Sequence, residues 1–203
     1  MFRVLIFLGA IGMAMNVSAA KLLVLGDSLS AGYGIEVQQG WVKLLELRLA
    51  QTQYPYTVVN ASISGETTQG GISRLPALLE THQPRVVLIE LGANDGLRGT
   101  PHGPIKANLL ELIRQVEEIG AEPVLFGIEL PPNYGPYYAK RFSAMFETVA
   151  QEAGITYVPF FLRDVALKPE LMQRDGLHPN AKAQGLILEA VWTSLDPLLS
   201  RLD

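Results

Sequence analysis

The stretch "KLLVLGDSLSAGYG", residues 21–34, opens as a strand and closes as neither strand nor helix. Leu22, Leu23, Val24 and Leu25 form a short apolar run stopped by Gly26. Asp27, Ser28, Ser30, Gly32 and Gly34 then crowd small polar residues into a few positions. Turn chemistry accounts for such a loop, since Asp and Ser bond nearby backbone and Gly supplies unusual dihedrals. A nucleophile held at the carboxyl end of a strand, where open α/β sheets place their ligands, is the other reading. The other strand ends of the chain separate the two readings.

Outward from this stretch, short β-branched apolar runs alternate with longer amphipathic ones. Strands are expected at 22–25, 56–60, 86–91, 123–128 and 155–159, and helices between and after them at 41–51, 67–79, 105–119, 137–152 and 181–195. In the clearest helix Ile105, Leu109, Leu112, Ile113 and Val116 fall on one face, and Gly120 marks its end. Gly70, Gly71 and Pro76 predict an irregular course for 67–79. Strict alternation implies crossover connections and a parallel sheet covered on both faces. The expected fold is a single α/β domain over 21–203: a three-layer α/β/α sandwich on a five-stranded parallel sheet in the flavodoxin-like order 2-1-3-4-5.

Composition narrows the function. The chain has 203 residues, 48% of them hydrophobic and 18% charged, enough for one substantial core. Arg3, an apolar run over 4–15 and the small residues Ser18, Ala19 and Ala20 read as a signal peptide over 1–20, too short to span a bilayer. Cleavage after Ala20 starts the mature chain at Lys21 and predicts a periplasmic or secreted protein without a stable membrane span. The net charge of −4, more negative once Arg3 is gone, and the lack of basic clusters argue against a nucleic-acid partner. With no cysteine there is neither a thiol nucleophile nor a thiolate metal site.

If the sheet is right, "GDSLSAG", "NASISGETT", "LGANDGLRG" and "RDGLHPN" share one rim and bring Ser28, Gly65, Asn94, Asp175 and His178 together. Ser28 can attack a carbonyl only if a base takes its proton, and histidine, with an ordinary pKa of about 6.5, suits that task. Of three histidines, His82 sits at an expected helix end and His102 in a proline-bounded loop with no acid close in sequence. His178 follows Asp175 by three, a spacing that puts both on one side of a helical turn, so the carboxylate can hold one ring nitrogen while the other faces Ser28. Pro179 restricts the backbone of His178, and Asp27 is expected to organise the turn rather than serve as triad acid. The backbone N–H groups of Ser28 and Gly65 and the side-chain amide of Asn94 are the candidate oxyanion donors.

The ordered blocks "GDSL", "SISGET", "GAND" and "DGLHP" resemble those of the SGNH hydrolase superfamily, the GDSL esterases. Through "VVNASISGETT", "RLPALL", "IELGANDGLRG", "LPPNYG" and "VPFFL" the likeness covers essentially the whole chain after the leader. Within the superfamily it is similar to the bacterial periplasmic subgroup of multifunctional thioesterase I/protease I/lysophospholipase enzymes and arylesterases. The resemblance implies Ser28 as nucleophile, Asp175 and His178 as its partners, and Ser28, Gly65 and Asn94 as oxyanion donors. Family members often carry glycine where Ala93 stands and aspartate where Glu66 stands. Those differences bear on loop shape and specificity.

Three other classes fit less well. "GDSLSAGYG" is neither a P-loop nor a dinucleotide-binding fingerprint. A metal-dependent hydrolase using Asp27, Asp95, Asp175 and His178 lacks a recognisable ligand spacing and leaves the serine unexplained. A non-catalytic ligand-binding protein of the same fold would be expected to have lost a triad member or donor, and none is missing. The expectation is therefore a monomeric enzyme without cofactor or metal, acting on a small-molecule ester or lipid. Leu97, Leu130, Pro131, Tyr134 and Leu177, in rim loops, are the candidate lining of an apolar acyl or aryl groove. Acyl-CoA is cytoplasmic, so an exported enzyme of this kind is expected to act on lysophospholipids and other lipid or aryl esters, with thioester cleavage reflecting an open site.

Overall fold

The computed structural model describes residues 19–54 and 56–203. The expected leader, but for its last two residues, lies outside them. The expected alternation is observed: β1 (Ala20–Gly26), α1 (Ser28–Ala31), α2 (Trp41–Leu49), β2 (Tyr56–Asn60), α3 (Thr68–His82), β3 (Val86–Glu90), α4 (Ala93–Leu97), α5 (His102–Glu118), β4 (Glu122–Phe126), α6 (Pro136–Ala153), β5 (Thr156–Val158) and α7 (Gln184–Leu202). All five strands pair in parallel in the order β2-β1-β3-β4-β5.

That order, with the handedness of crossovers, sets which face each helix covers. The chain steps one way from β1 to β2 and then the other way through β3, β4 and β5. Right-handed connections therefore put α2 on one face and α3, α5 and α6 on the opposite one. Correspondingly, α3 packs on α5 and α5 on α6, while α2 packs on α7. Covered on both sides, β1 and β3 carry unbroken apolar runs, Leu22 to Leu25 and Val86 to Ile89, all fully buried. Each such side chain contributes about 1.5–3 kcal/mol on burial. On α5 the buried residues are the five apolar ones whose spacing predicted the helix.

Two local expectations need correction. The 67–79 segment is not irregular: α3 runs unbroken to His82 through both glycines and Pro76. Gly71 is needed there for close packing, because a Cβ would come within 2.5 Å of Leu91 Cδ1. The segment 181–183 forms a turn of 3₁₀ helix before α7 proper begins at Gln184. Among the described residues no helix is long and apolar enough to cross a membrane. The reversal of direction between β1 and β3 opens a crevice at their carboxyl ends, where Gly26 pairs with Glu90.

Candidate active site

At the end of β1, Asp27 caps α1: its Oδ1 accepts from Leu29 N–H at 3.0 Å, and Ser28 is the first residue of the helix. On the far side of the crevice, Asp175 and His178 are not on a helical turn as their spacing suggested. Gly176 has φ +65°, a left-handed conformation in which the helix cannot continue. Asp175 Oδ1 instead accepts from the N–H groups of both Leu177 (2.9 Å) and His178 (3.0 Å), an Asx turn that brings the two side chains together by another backbone path. His178 Nδ1 lies 2.7 Å from Asp175 Oδ2, and Nε2 lies 2.9 Å from Ser28 Oγ. With Nδ1–H donating to the carboxylate, Nε2 is the nitrogen that can accept a hydrogen bond from the serine hydroxyl. Burial alone would raise the Asp175 carboxyl. Hydrogen bonds from the His178 N–H, the His178 ring and the Leu177 N–H outweigh it and hold its pKa at about 2.

Gly65 lies in the loop after β2 with φ +81°. Among the described residues neither its N–H nor that of Ser28 has a hydrogen-bond acceptor. Two arginines hold this loop. Arg98 Nη2 donates to Gly65 O at 3.0 Å. Arg74 spans the loop from end to end, with Nη1 donating to Ala61 O and Nε to the Glu66 carboxylate, both at 2.6 Å. Asn94, on α4, reaches the same place. Its Nδ2 donates to Asp27 Oδ2 at 3.0 Å and to Glu66 O at 2.9 Å, so its two protons join the β1, β2 and β3 loops.

Ser28, Gly65, Asn94 and His178 all line one cavity of about 570 Å³. Of the residues expected to form its apolar wall, Leu97, Leu130, Pro131 and Leu177 do so. Tyr134 stands behind the wall, its hydroxyl donating to Leu97 O at 3.2 Å. Ile128, Phe160, Leu162, Ala166, Leu167 and Met172 add to the lining and were not foreseen; nothing in "FFLRDVALK", which supplies four of them, marks it as a pocket segment in advance. His82 closes α3 as expected, and His102 opens α5 with its ring stacked on Tyr138 at 4.7 Å. Neither lies on the cavity. Asp95 accepts from Thr68 N–H and Oγ at the start of α3, and among the described residues no group of three or more His, Asp or Glu is placed to hold a metal.

The blocks that build this crevice match, over residues 24–186, the GDSL-like Lipase/Acylhydrolase family. The chain belongs to that family. It is 47% identical over 200 residues to the "Esterase TesA" of Pseudomonas aeruginosa, covering 97% of this chain and all of that protein. It is also 47% identical over 183 residues to the "Thioesterase 1/protease 1/lysophospholipase L1" of Escherichia coli K12, covering 90% of this chain and 86% of that one. A solved structure of the psychrotrophic esterase EstA from Pseudoalteromonas sp., inhibited by monoethylphosphonate, superposes with a TM-score of 0.85. It is 46% identical and covers 89% of this chain and 98% of its own.

Beneath the loop that carries Ser28, this member of the family has a buried acid that its sequence pattern did not single out. Glu90, fully buried at the end of β3, accepts from Ser30 Oγ at 2.7 Å and more distantly from Asp27 N–H at 3.3 Å. Its Oε1 has no partner among the described residues. Burial, reinforced by the nearby Asp27 carboxyl, pushes its pKa well up. Burial likewise pushes Asp27 up to about 6, against the bonds from Leu29 and Asn94. The available signal was a lone carboxyl closing the apolar run "VVLIE".

Proposed function

We propose that the chain is an exported serine esterase that cleaves carboxylic esters and thioesters through an acyl-enzyme. The observation that carries this reading is the hydrogen-bonded line Asp175–His178–Ser28 opening on a largely apolar cavity. Ser28 Oγ attacks the substrate carbonyl carbon as His178 Nε2 takes its proton, and Asp175 steadies the imidazolium. The carbonyl oxygen, now anionic, is held by the N–H groups of Ser28 and Gly65, with Asn94 turning part of its donation from Asp27 to the new charge. His178 then protonates the leaving alcohol or thiol. A water molecule, activated by the same nitrogen, releases the acid and restores Ser28. The apolar wall suits an acyl or aryl group, which with the names of the relatives favours lysophospholipids and other lipid or aryl esters. The leader over 1–20 supports export and a mature start at Lys21.

The test is a rate panel on the mature protein: chromogenic esters of increasing acyl length, an acyl-CoA and a lysophospholipid, each with and without chelator. Ser28→Ala should abolish turnover, and chelator should leave it unchanged. Asn94→Ala should lower kcat by about 10²–10³ while KM moves little. Ester turnover surviving in Ser28→Ala would sink the mechanism. A stable Asn94→Ala enzyme with near-normal kcat would remove that amide from the site.

A further inference from the structure

The acid and base reach Ser28 from a distant part of the chain, and their loop is a self-contained hairpin. Gln173 N–H donates to His178 O at 2.8 Å, Asn180 N–H donates to Leu171 O at 2.8 Å, and Met172 bridges to Pro179. Among the described residues Asp175, with its side chain 40% exposed, accepts only from Leu177 and His178 of its own hairpin. This organisation fixes Asp175 against His178. It does not fix the pair against Ser28, which belongs to β1 and α1.

Among the described residues just two hydrogen bonds cross from the 172–179 hairpin to the 27–34 loop. One is the His178–Ser28 contact itself, which must break and re-form as protons move. The other comes from Gln173: its Nε2 donates to Tyr33 O at 2.7 Å and, with its second proton, to Pro179 O at 3.0 Å. Tyr33, whose carbonyl Gln173 grips, lays its ring on the His178 imidazole with centroids 4.6 Å apart. Gln173 Oε1 lies over Gly34, where a Cβ would overlap it. One amide thus ties the residue after His178 to the segment that follows Ser28.

We propose that Gln173 is a positioning residue for the acid–base pair, setting the reach between the His178 imidazole and Ser28. The proposal rests on the reading of Ser28 and His178 as the reacting pair. Its physical basis is the steep dependence of a proton-coupled attack on geometry: misplacing a reacting group by about 1 Å can cost about 10²-fold in rate. The bond to Tyr33 O lies in an exposed setting, so its loss should cost the fold little while freeing the hairpin to drift. A mere loop brace would behave differently, lowering the melting temperature and leaving the chemistry of each folded molecule intact.

The test uses the mature protein as wild type, Gln173→Met and Gln173→Glu, with Ser28→Ala as background. Gln173→Met keeps the side chain's length and removes its donor, and Gln173→Glu keeps its shape but offers Tyr33 O a carboxylate that cannot donate. Four quantities are read per folded molecule: kcat and KM for a short chromogenic ester, the rate of inactivation by a phosphonate ester, and the melting temperature. Gln173→Met should lower kcat about tenfold with KM within about twofold, and phosphonylation should slow in parallel. Gln173→Glu should act in the same direction, because both changes break one link. If Gln173→Met does not fold, Gln173→Glu decides alone. Near-normal kcat in the folded variants, whatever their melting temperatures, would overturn the proposal. A wild type no faster than Ser28→Ala would instead refute the esterase reading, and this proposal with it.

Discussion

At the level of single residues, the site joins one carboxyl that is stabilised as an anion to two that are not. Asp175 accepts three hydrogen bonds and stays ionised in acid, which suits the role proposed for it beside the His178 ring. Asp27 and Glu90, nearly or wholly inaccessible and adjacent, are both raised by burial. A carboxyl whose folded pKa is raised binds more protons folded than unfolded. Its favourable contribution is complete below the unfolded value, about 4.3 for Glu, and is lost as pH rises through the folded one. For Asp27 that window runs up to about 6. Glu90→Gln removes one of these protons from the folding equilibrium. Its stability relative to wild type should therefore improve between pH 5 and pH 8, by no more than about 1.4 kcal/mol per pH unit. Denaturant unfolding of both proteins across that range measures the slope. A difference that does not change with pH would mean that Glu90 ionises alike in both states.

Elements were legible where one period governs a long segment, and illegible where a few residues turn by hydrogen bonding. The α5 stripe and the apolar runs of β1 and β3 could be read because burial on one face, or on both, imposes a pattern. The short helices α1 and α4 have no such stripe. They exist because Asp27 caps one and because Asn94, Gly96 and their neighbours wind back on Gly92 in the other. The Asx turn at Asp175 is the same kind of case: the spacing signalled that the carboxylate and imidazole meet, and said the wrong thing about how. For α4 the packing makes a prediction of unusual sign. Ala normally stabilises a helix over Gly by about 1 kcal/mol. A Cβ at Gly96, however, would lie 2.7 Å from Phe142 Cε2 and 2.8 Å from Leu130 Cδ2, both buried. Gly96→Ala should therefore destabilise by about 1–3 kcal/mol through overpacking and, by shifting α4, lower kcat through Asn94. Thermal melts with kcat on the same preparation check it, and a more stable, fully active variant would show that α4 has slack.

Across the whole molecule, a parallel sheet covered on both faces could be deduced from alternation, but the ties that close the site could not. Glu90 under Ser30, Arg74 across the Gly65 loop and Gln173 on Tyr33 each join segments that no local period relates, and a carboxyl, guanidinium or amide side chain at those positions looks like any solvated polar residue until the elements meet. The start of the fold is a further whole-molecule matter. β1 is central, flanked by β2 and β3, and begins at Ala20, whose only ladder partner is Tyr56; pairing to β3 starts at Leu22. A chain beginning at Lys21 gives up that single outermost pair and keeps every buried side chain of the strand, Leu22 to Leu25. The 21–203 protein should therefore melt within a few degrees of one that carries Ala19 and Ala20, because fraying one terminal pair at a strand end costs little. Its ester kcat should be the same, since the rim that carries Ser28 lies at the opposite, carboxyl end of β1. A chain beginning at Val24 instead loses Leu22 and Leu23, about 1.5–3 kcal/mol of burial each, together with the first β1–β3 pairs, and should fail to fold. Melting curves and turnover of the three chains decide the point. An inactive 21–203 protein would mean that residues ahead of Lys21 belong to the working molecule, and the leader reading would fall with it.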